Sequence, residues 1–162
     1  MASSDGWWKK MRGILNFFSD RPQSVHEILA KRYIEECQHA RRHAYDAERM
    51  QYPQFREKLS AIAEDERKHT QWVAEKIRAL GGTPPDVPEI PLAGKNSWQS
   101  LLADLEEHRQ CAAELLMQIN SLRGEYPEVA DTLQRIYDES AKHREEIRAM
   151  LMRSDPQAHL AA

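Results

Sequence analysis

One apolar stripe in the middle of the chain is broken by two polar side chains, and that break constrains the fold more than any other feature. From Phe55 the stripe runs Phe55, Leu59, Ile62, Glu66, His69, Val73, Ile77, Leu80. Steps of three and four residues put all eight on one face of an α-helix. Six of them require a dry partner surface, and Glu66 and His69 stand in the middle of it. An ionised carboxylate there costs several kcal/mol unless it is paired or bound to a cation. At this spacing the two side chains lie about 5–6 Å apart at Cβ, close enough to share one ion.

The same periodicity gives four long helices. Ser24-Val25-His26-Glu27 has the form of a capping box, so the first helix starts there and runs to about Met50. The second opens at Pro53 and ends at Gly81-Gly82, where glycine suits a left-handed cap. The third runs from Asn96 or Ser97 to about Arg123, and the fourth from Pro127 to about Arg153. The connections near Gln51-Tyr52 and Gly124–Tyr126 are short and imply antiparallel hairpins. Between helices two and three, Thr83–Pro91 carries four prolines and forms an extended strap. At roughly 3.3 Å per residue such a strap can run the roughly 40 Å length of a bundle. The expected fold is all-α: a four-helix bundle of two hairpins joined by one long crossover. The bundle takes residues 23–154, between an N-terminal segment (1–22) and a tail (155–162).

The 162 residues suit one such domain. Charged residues make up 30% and apolar residues 41%, which argues against disorder, and no apolar run reaches the ~18–20 residues of a membrane-spanning helix. The net charge is −3 and the basic residues are scattered, so nucleic-acid binding has no electrostatic footprint. Cys37 and Cys111 form no Cys-x-x-Cys knuckle, and a reducing cytoplasmic setting is expected. Within residues 6–18, Trp7, Trp8, Met11, Ile14, Leu15 and Phe18 nearly follow helical spacing among Lys9, Lys10 and Arg12. The interspersed charges argue against a signal peptide. The expected role is a short helix packed on the bundle or on a neighbouring subunit. Peripheral membrane contact through residues 6–18 is the alternative.

The two halves of the bundle repeat each other. Tyr52-Pro53 precedes Lys68-His69 by the interval at which Tyr126-Pro127 precedes Lys142-His143. Helix four repeats the stripe as Val129, Leu133, Ile136, Ser140, His143, Ile147, Met150, with Ser140 at the place of Glu66. Helix one gives Leu29, Tyr33, Glu36, Ala40, His43, Ala47, Met50, and helix three gives Leu101, Leu105, His108, Ala112, Leu115, Ile119, Leu122. That helix-three match uses an offset two residues shorter than the Tyr-Pro match. The longer offset instead aligns Cys37 with Cys111 and Glu36 with Gln110. Both registers stay open, and neither places a carboxylate opposite Glu36.

Glu36, followed thirty residues later by Glu66-x-x-His69, resembles the ferritin and rubrerythrin superfamily over roughly residues 24–153. The resemblance implies a carboxylate-bridged metal bundle, with Glu36, Glu66 and His69 as ligands and His143 as a fourth. His108 is added by stripe periodicity. It further implies iron, with manganese or zinc as alternatives, an oxidoreductase of ferroxidase or peroxidase type, and a homo-oligomer. The second half departs from the pattern: Ser140 has lost the bridging carboxylate, and His108 or Gln110 replaces the helix-three Glu.

Each feature also has a plainer explanation. Glu66 can be satisfied by an Arg or Lys from another helix. His43 reads as a residue that backs the ligands or as a satisfied core residue, His39 as an edge residue whose spacing from Glu36 is coincidence, and Tyr33 and Tyr45 as aromatic packing. A degenerate bundle serving as a structural or interaction module is the competing function. The stripes supply only Glu36 and Glu66 as carboxylates, which balance one divalent cation. One tightly held ion per chain is therefore expected, unless Glu107 or Glu139 turns inward to support a second. Removing residues 1–20 is expected to leave the bundle folded, because the cap at Ser24 starts the first helix independently. It is expected to alter cosedimentation with liposomes or mass in solution; a truncation that changes neither removes the interfacial role.

Overall fold

The computed structural model describes residues 23–90, 92 and 96–155. Its regular structure is four α-helices: α1 (Val25–Arg49), α2 (Pro53–Ala79), α3 (Ser97–Leu122) and α4 (Pro127–Leu151). The aromatic–basic segment within 1–22 and the chain beyond Asp155 lie outside the described residues. Each helix boundary has a local cause. Ser24 Oγ accepts the Glu27 N–H at 3.2 Å and Glu27 Oε2 accepts the Ser24 N–H at 2.8 Å, closing the expected box. Asn96 Oδ1 caps α3 by accepting the Gln99 N–H at 2.8 Å. Helices α2 and α4 open on prolines, which lack the N–H that a first turn leaves unpaired. At the end of α2, Gly81 takes φ 79°, while the Gly81 and Gly82 N–H groups reach back to Arg78 O and Ile77 O, both at 2.9 Å. That is a Schellman cap, and the left-handed φ explains the glycine.

Two apolar clusters, one at each end of the bundle, set the topology. One joins Val25 and Leu29 of α1, Val73 and Ile77 of α2, Leu115 and Leu122 of α3, and Val129 and Leu133 of α4. The other joins Ala47 and Met50, Phe55 and Leu59, Leu101 and Leu105, and Ile147 and Met150. The start of α2 therefore lies with the start of α3, and their ends lie together. These helices run parallel, so the strap between them crosses the whole length of the bundle. Gln38, midway along α1, donates to Pro88 O at 3.4 Å and holds the strap near its midpoint. The all-α bundle with one long crossover is the expected fold. No described helix is long and apolar enough to cross a membrane.

Between the apolar clusters lies a polar layer. Arg32, Glu36, His39 and His43 of α1, Glu66 and His69 of α2, Asp104 and His108 of α3, and His143 of α4 are all at most 5% exposed. The clusters fix where this layer sits, because each fully buried aliphatic side chain contributes about 1.5–3 kcal/mol only if the helices keep their register.

The strap's reach is directly testable. From Gly82 to Asn96 the chain takes fourteen steps (96 less 82), roughly 46 Å when extended. Deleting residues 83–87 leaves nine steps, roughly 30 Å, short of the roughly 40 Å helix. That deletion is expected to abolish the monomeric bundle or force exchange of hairpins between chains, whereas five inserted Gly/Ser residues cost little. Circular dichroism melting with mass in solution checks this; a deletion variant that melts like the parent as a monomer would contradict the crossover.

Candidate metal centre

Glu66 is fully buried and is the hub of the polar layer. Its Oε2 lies 3.2 Å from His69 Nδ1, one helical turn along α2. Its Oε1 lies 3.2 Å from His143 Nδ1, on α4, and 3.9 Å from His108 Nε2, on α3. The same His69 Nδ1 lies 3.2 Å from Glu36 Oε2, on α1. Glu36, His69 and His143 thus gather around Glu66, with His108 at the edge. His108 is 3% exposed while Gln110 faces solvent, so the shorter helix-three offset describes the structure.

The outer nitrogens of the two central imidazoles are held by acids from the opposite half. His69 Nε2 lies 3.1 Å from Glu139 Oε2 of α4, and His143 Nε2 lies 3.3 Å from Asp65 Oδ2 of α2. Glu139 and Asp65 occupy matching places in the repeat, each four residues before the histidine of its own helix. Each imidazole therefore presents Nδ1 to the interior and Nε2 to an outer carboxylate. Such outer partners fix the ring and leave the inner nitrogen to face an ion. Burial opposes a second proton on His69, but Glu36 and Glu66 outweigh it and raise its pKa to about 10. The interior proton on Nδ1 stands where a metal ion would bind, and metal uptake would displace it.

Glu36 and Glu66 titrate as a pair. Burial, and then the neighbouring Glu66 carboxylate, push Glu36 up to about 7. Glu66 is held well below its ordinary value: burial works against this, but Glu36, His143 and His69 outweigh it. The nearest guanidinium, Arg32, is 1% exposed and lies 3.6 Å from Glu36 Oε1, while also meeting Glu35 at 3.1 Å and Gln118 at 3.2 Å. It pairs with Glu36 from the same helix. Glu66 is satisfied by imidazoles, not by the Arg or Lys from another helix that the sequence left open.

Several residues stand elsewhere than the stripes imply. His39 is buried at 5% exposure and groups with Glu36 and Glu66, each offering a ligand atom within 4.8 Å of the others. Its spacing from Glu36 is structural, and its edge placement was misread because α1 buries a wider face than the stripe allows. His43, 1% exposed, forms a second such group with Glu66 and His108. Asp46 and Asp104, at 9% and 2%, are buried carboxylates that the stripes did not include. Their signal was an acid one turn from an inward histidine: Asp46 three residues after His43, Asp104 four before His108. Glu107 pairs with Arg42 and lies 3.6 Å from His39. Tyr33 packs against an apolar cluster, and Tyr45 lies under the Arg49 guanidinium. Where the repeat lacks its carboxylate, Ser140 borders a cavity of about 10 Å³, room for one water-sized molecule, alongside Glu36, His108 and Arg144.

The family model of the ferritin-like domain matches residues 41–154. The chain belongs to the ferritin-like domain family. No curated protein matches it. The matched segment of this ferritin-like domain begins after Glu36 and His39, so their place in the centre rests on the geometry alone. His69, His108, His143 and Glu66 fall inside the match, and so does Ser140.

The buried acids give the metal-free ferritin-like bundle a pH dependence whose sign is fixed. Glu36 moves from 4.5 unfolded to about 7 folded. Asp104 moves from 3.8 to about 8 through burial and then the Asp46 charge. The folded state holds both protons more tightly, so the stability they contribute is full below the unfolded values and is lost as pH rises through about 7 and 8. His43 works oppositely: burial lowers it from 6.5 to about 3, so its contribution is present above 6.5 and lost as pH falls. In chelator, the melting temperature is expected to fall between about pH 6 and 9, with a flatter slope in Glu36→Gln and Asp104→Asn. A melting temperature that climbs steadily across that range would contradict the assignment.

Proposed function

We propose that this ferritin-like bundle binds iron through Glu36, Glu66, His69 and His143, with His108 adjoining, and acts as an oxidoreductase of ferroxidase or peroxidase type. The observation that carries the reading is the reciprocal arrangement of His69 and His143. Each aims Nδ1 at Glu66 and is backed at Nε2 by an acid from the other half. A histidine that merely fills a core needs no such outer acid. The donor set of carboxylate oxygens and imidazole nitrogens fits Fe(II), and also Mn(II) or Zn(II).

Bound there, iron supplies the one-electron redox chemistry, and the chain's own residues set its conditions. Glu36 and Glu66 neutralise a divalent charge in a poorly solvated layer. Glu139 and Asp65 hold the two imidazole rings in orientation. The cavity beside Ser140 leaves space for one water-sized ligand where the repeat lacks a carboxylate. The proposal places the protein in a reducing cytoplasm, consistent with free, half-buried Cys37 and Cys111. It also includes assembly of several copies; exposed Leu102, Leu116 and Met117 on α3 support an interface.

A second reading is favoured by one observation: protonated His69 and His143 can satisfy Glu66 without any ion. In that case the bundle is a structural or interaction module. Anaerobic titration with ferrous iron, followed by exposure to oxygen or hydrogen peroxide, separates the two. The metal reading expects at least one tightly held ion per chain and consumption of oxidant. It expects Glu66→Ala to weaken binding at least tenfold, and Asp65→Asn to weaken it less. Iron that desalting removes equally from wild type and Glu66→Ala would leave only the structural module.

A further inference from the structure

The buried interface between α1 and α3 carries polar groups beyond those gathered around Glu66. Past the central layer, toward the Met50 end, it holds His43 and Asp46 of α1 facing Asp104 and His108 of α3. His43 Nε2 lies 3.4 Å from His108 Nε2 and 3.8 Å from Asp104 Oδ2. His108 Nε2 in turn lies 3.9 Å from Glu66 Oε1. Metal–ligand bonds of about 2.1 Å place the donors of one ion roughly 3.0–3.5 Å apart. His43, Glu66 and His108 each offer a ligand atom within 4.8 Å of the others, and Asp104 Oδ2 adjoins that group at His43.

Two atoms of this cluster are left without a partner. His43 and Asp104 are 1% and 2% exposed, yet His43 Nδ1 and Asp104 Oδ2 have no hydrogen-bond partner. A buried acceptor without a donor is rare and costly. Asp104 Oδ2 is also the oxygen nearest His43 Nε2, so the unpartnered atom is aimed into the cluster. Asp46 hydrogen-bonds to Asp104 and places a second carboxyl group beside it. Ser140 removes the carboxylate with which α4 would hold a second ion, and this seam offers one in its place. Two imidazoles with a carboxylate select a borderline transition-metal ion over calcium or magnesium.

We propose that His43, Asp104 and His108 hold a second divalent transition-metal ion between α1 and α3, with Glu66 Oε1 turned toward it as a bridge from the central site. The inference rests on reading the bundle as a metal protein, but its ligands His43 and Asp104 belong to neither half of the repeat's own pattern. It replaces the expectation of one tight ion, which counted carboxylates only on the stripes and missed Asp46 and Asp104.

Cobalt(II) is the probe, with retained metal measured after dialysis of the full chain. Wild type is expected to keep two ions per chain. Asp104→Asn and His43→Gln each keep one, Glu36→Gln keeps one, and the Glu36→Gln/Asp104→Asn double variant keeps none. Two ions retained by both Asp104→Asn and His43→Gln overturn the second site and leave the central one standing. So does a single wild-type ion that Glu36→Gln removes and Asp104→Asn does not. A single ion lost in Asp104→Asn but kept in Glu36→Gln retains the second site and overturns the central iron centre instead. No retained ion in wild type overturns both. If a variant fails to fold by circular dichroism, anomalous scattering from wild-type crystals grown with cobalt decides: a peak between His43 and Asp104 supports the site, and a peak confined to Glu36, His69 and His143 overturns it.

Discussion

A carboxylate with no water contact has to be met on every side by hydrogen-bond donors or cations, and Glu66 places that demand at the centre of the bundle. It is fully buried between two apolar clusters that together lock all four helices in register. The clusters cannot slide past one another without breaking the pairs that hold Glu66. The pairs in turn exist only because the clusters bring α1, α2, α3 and α4 to the same level. Packing therefore supplies the position, and the polar layer supplies a reason for one specific register over its neighbours.

That layer is symmetric in one direction and not in the other. Across α2 and α4 the internal repeat is kept: His69 and His143 face inward, and Glu139 and Asp65 hold them from outside. Across α1 and α3 it is not, because Arg32 on one helix meets Gln118 on the other, and His39 meets Cys111 and His108. Loss of the carboxylate at Ser140 breaks the α2–α4 symmetry at one atom group only. The α1–α3 seam has accumulated its own titratable groups: Arg32, His39, His43 and Asp46 against Asp104 and His108.

Much of this is legible in the sequence. Caps at Ser24, Pro53, Asn96 and Pro127 are local signals, and each helix starts within a residue or so of its cap. The crossover followed from length alone, since the proline-rich strap is far too long for a hairpin. Glu66, His69 and His143 were visible because polar residues on an otherwise apolar stripe stand out. His39, Asp46 and Asp104 were not, because a three-or-four-residue stripe describes a narrow face. In a four-helix bundle each helix meets two neighbours, so α1 and α3 bury a wider arc, and residues at the stripe edge become interior. Arg32 was missed for the same reason. The helix-three register was undecidable because His108 and Gln110 are both polar, and only burial separates them.

The central claim is that Glu66 exists to hold a metal ion. Elemental mass spectrometry of protein purified without chelators tests it most directly, with wild type and Glu66→Ala prepared side by side. The account predicts iron at one or more equivalents per wild-type chain and a loss of most of it in the variant. A folded wild-type protein that carries no transition metal, or a Glu66→Ala variant that carries as much as its parent, would contradict it.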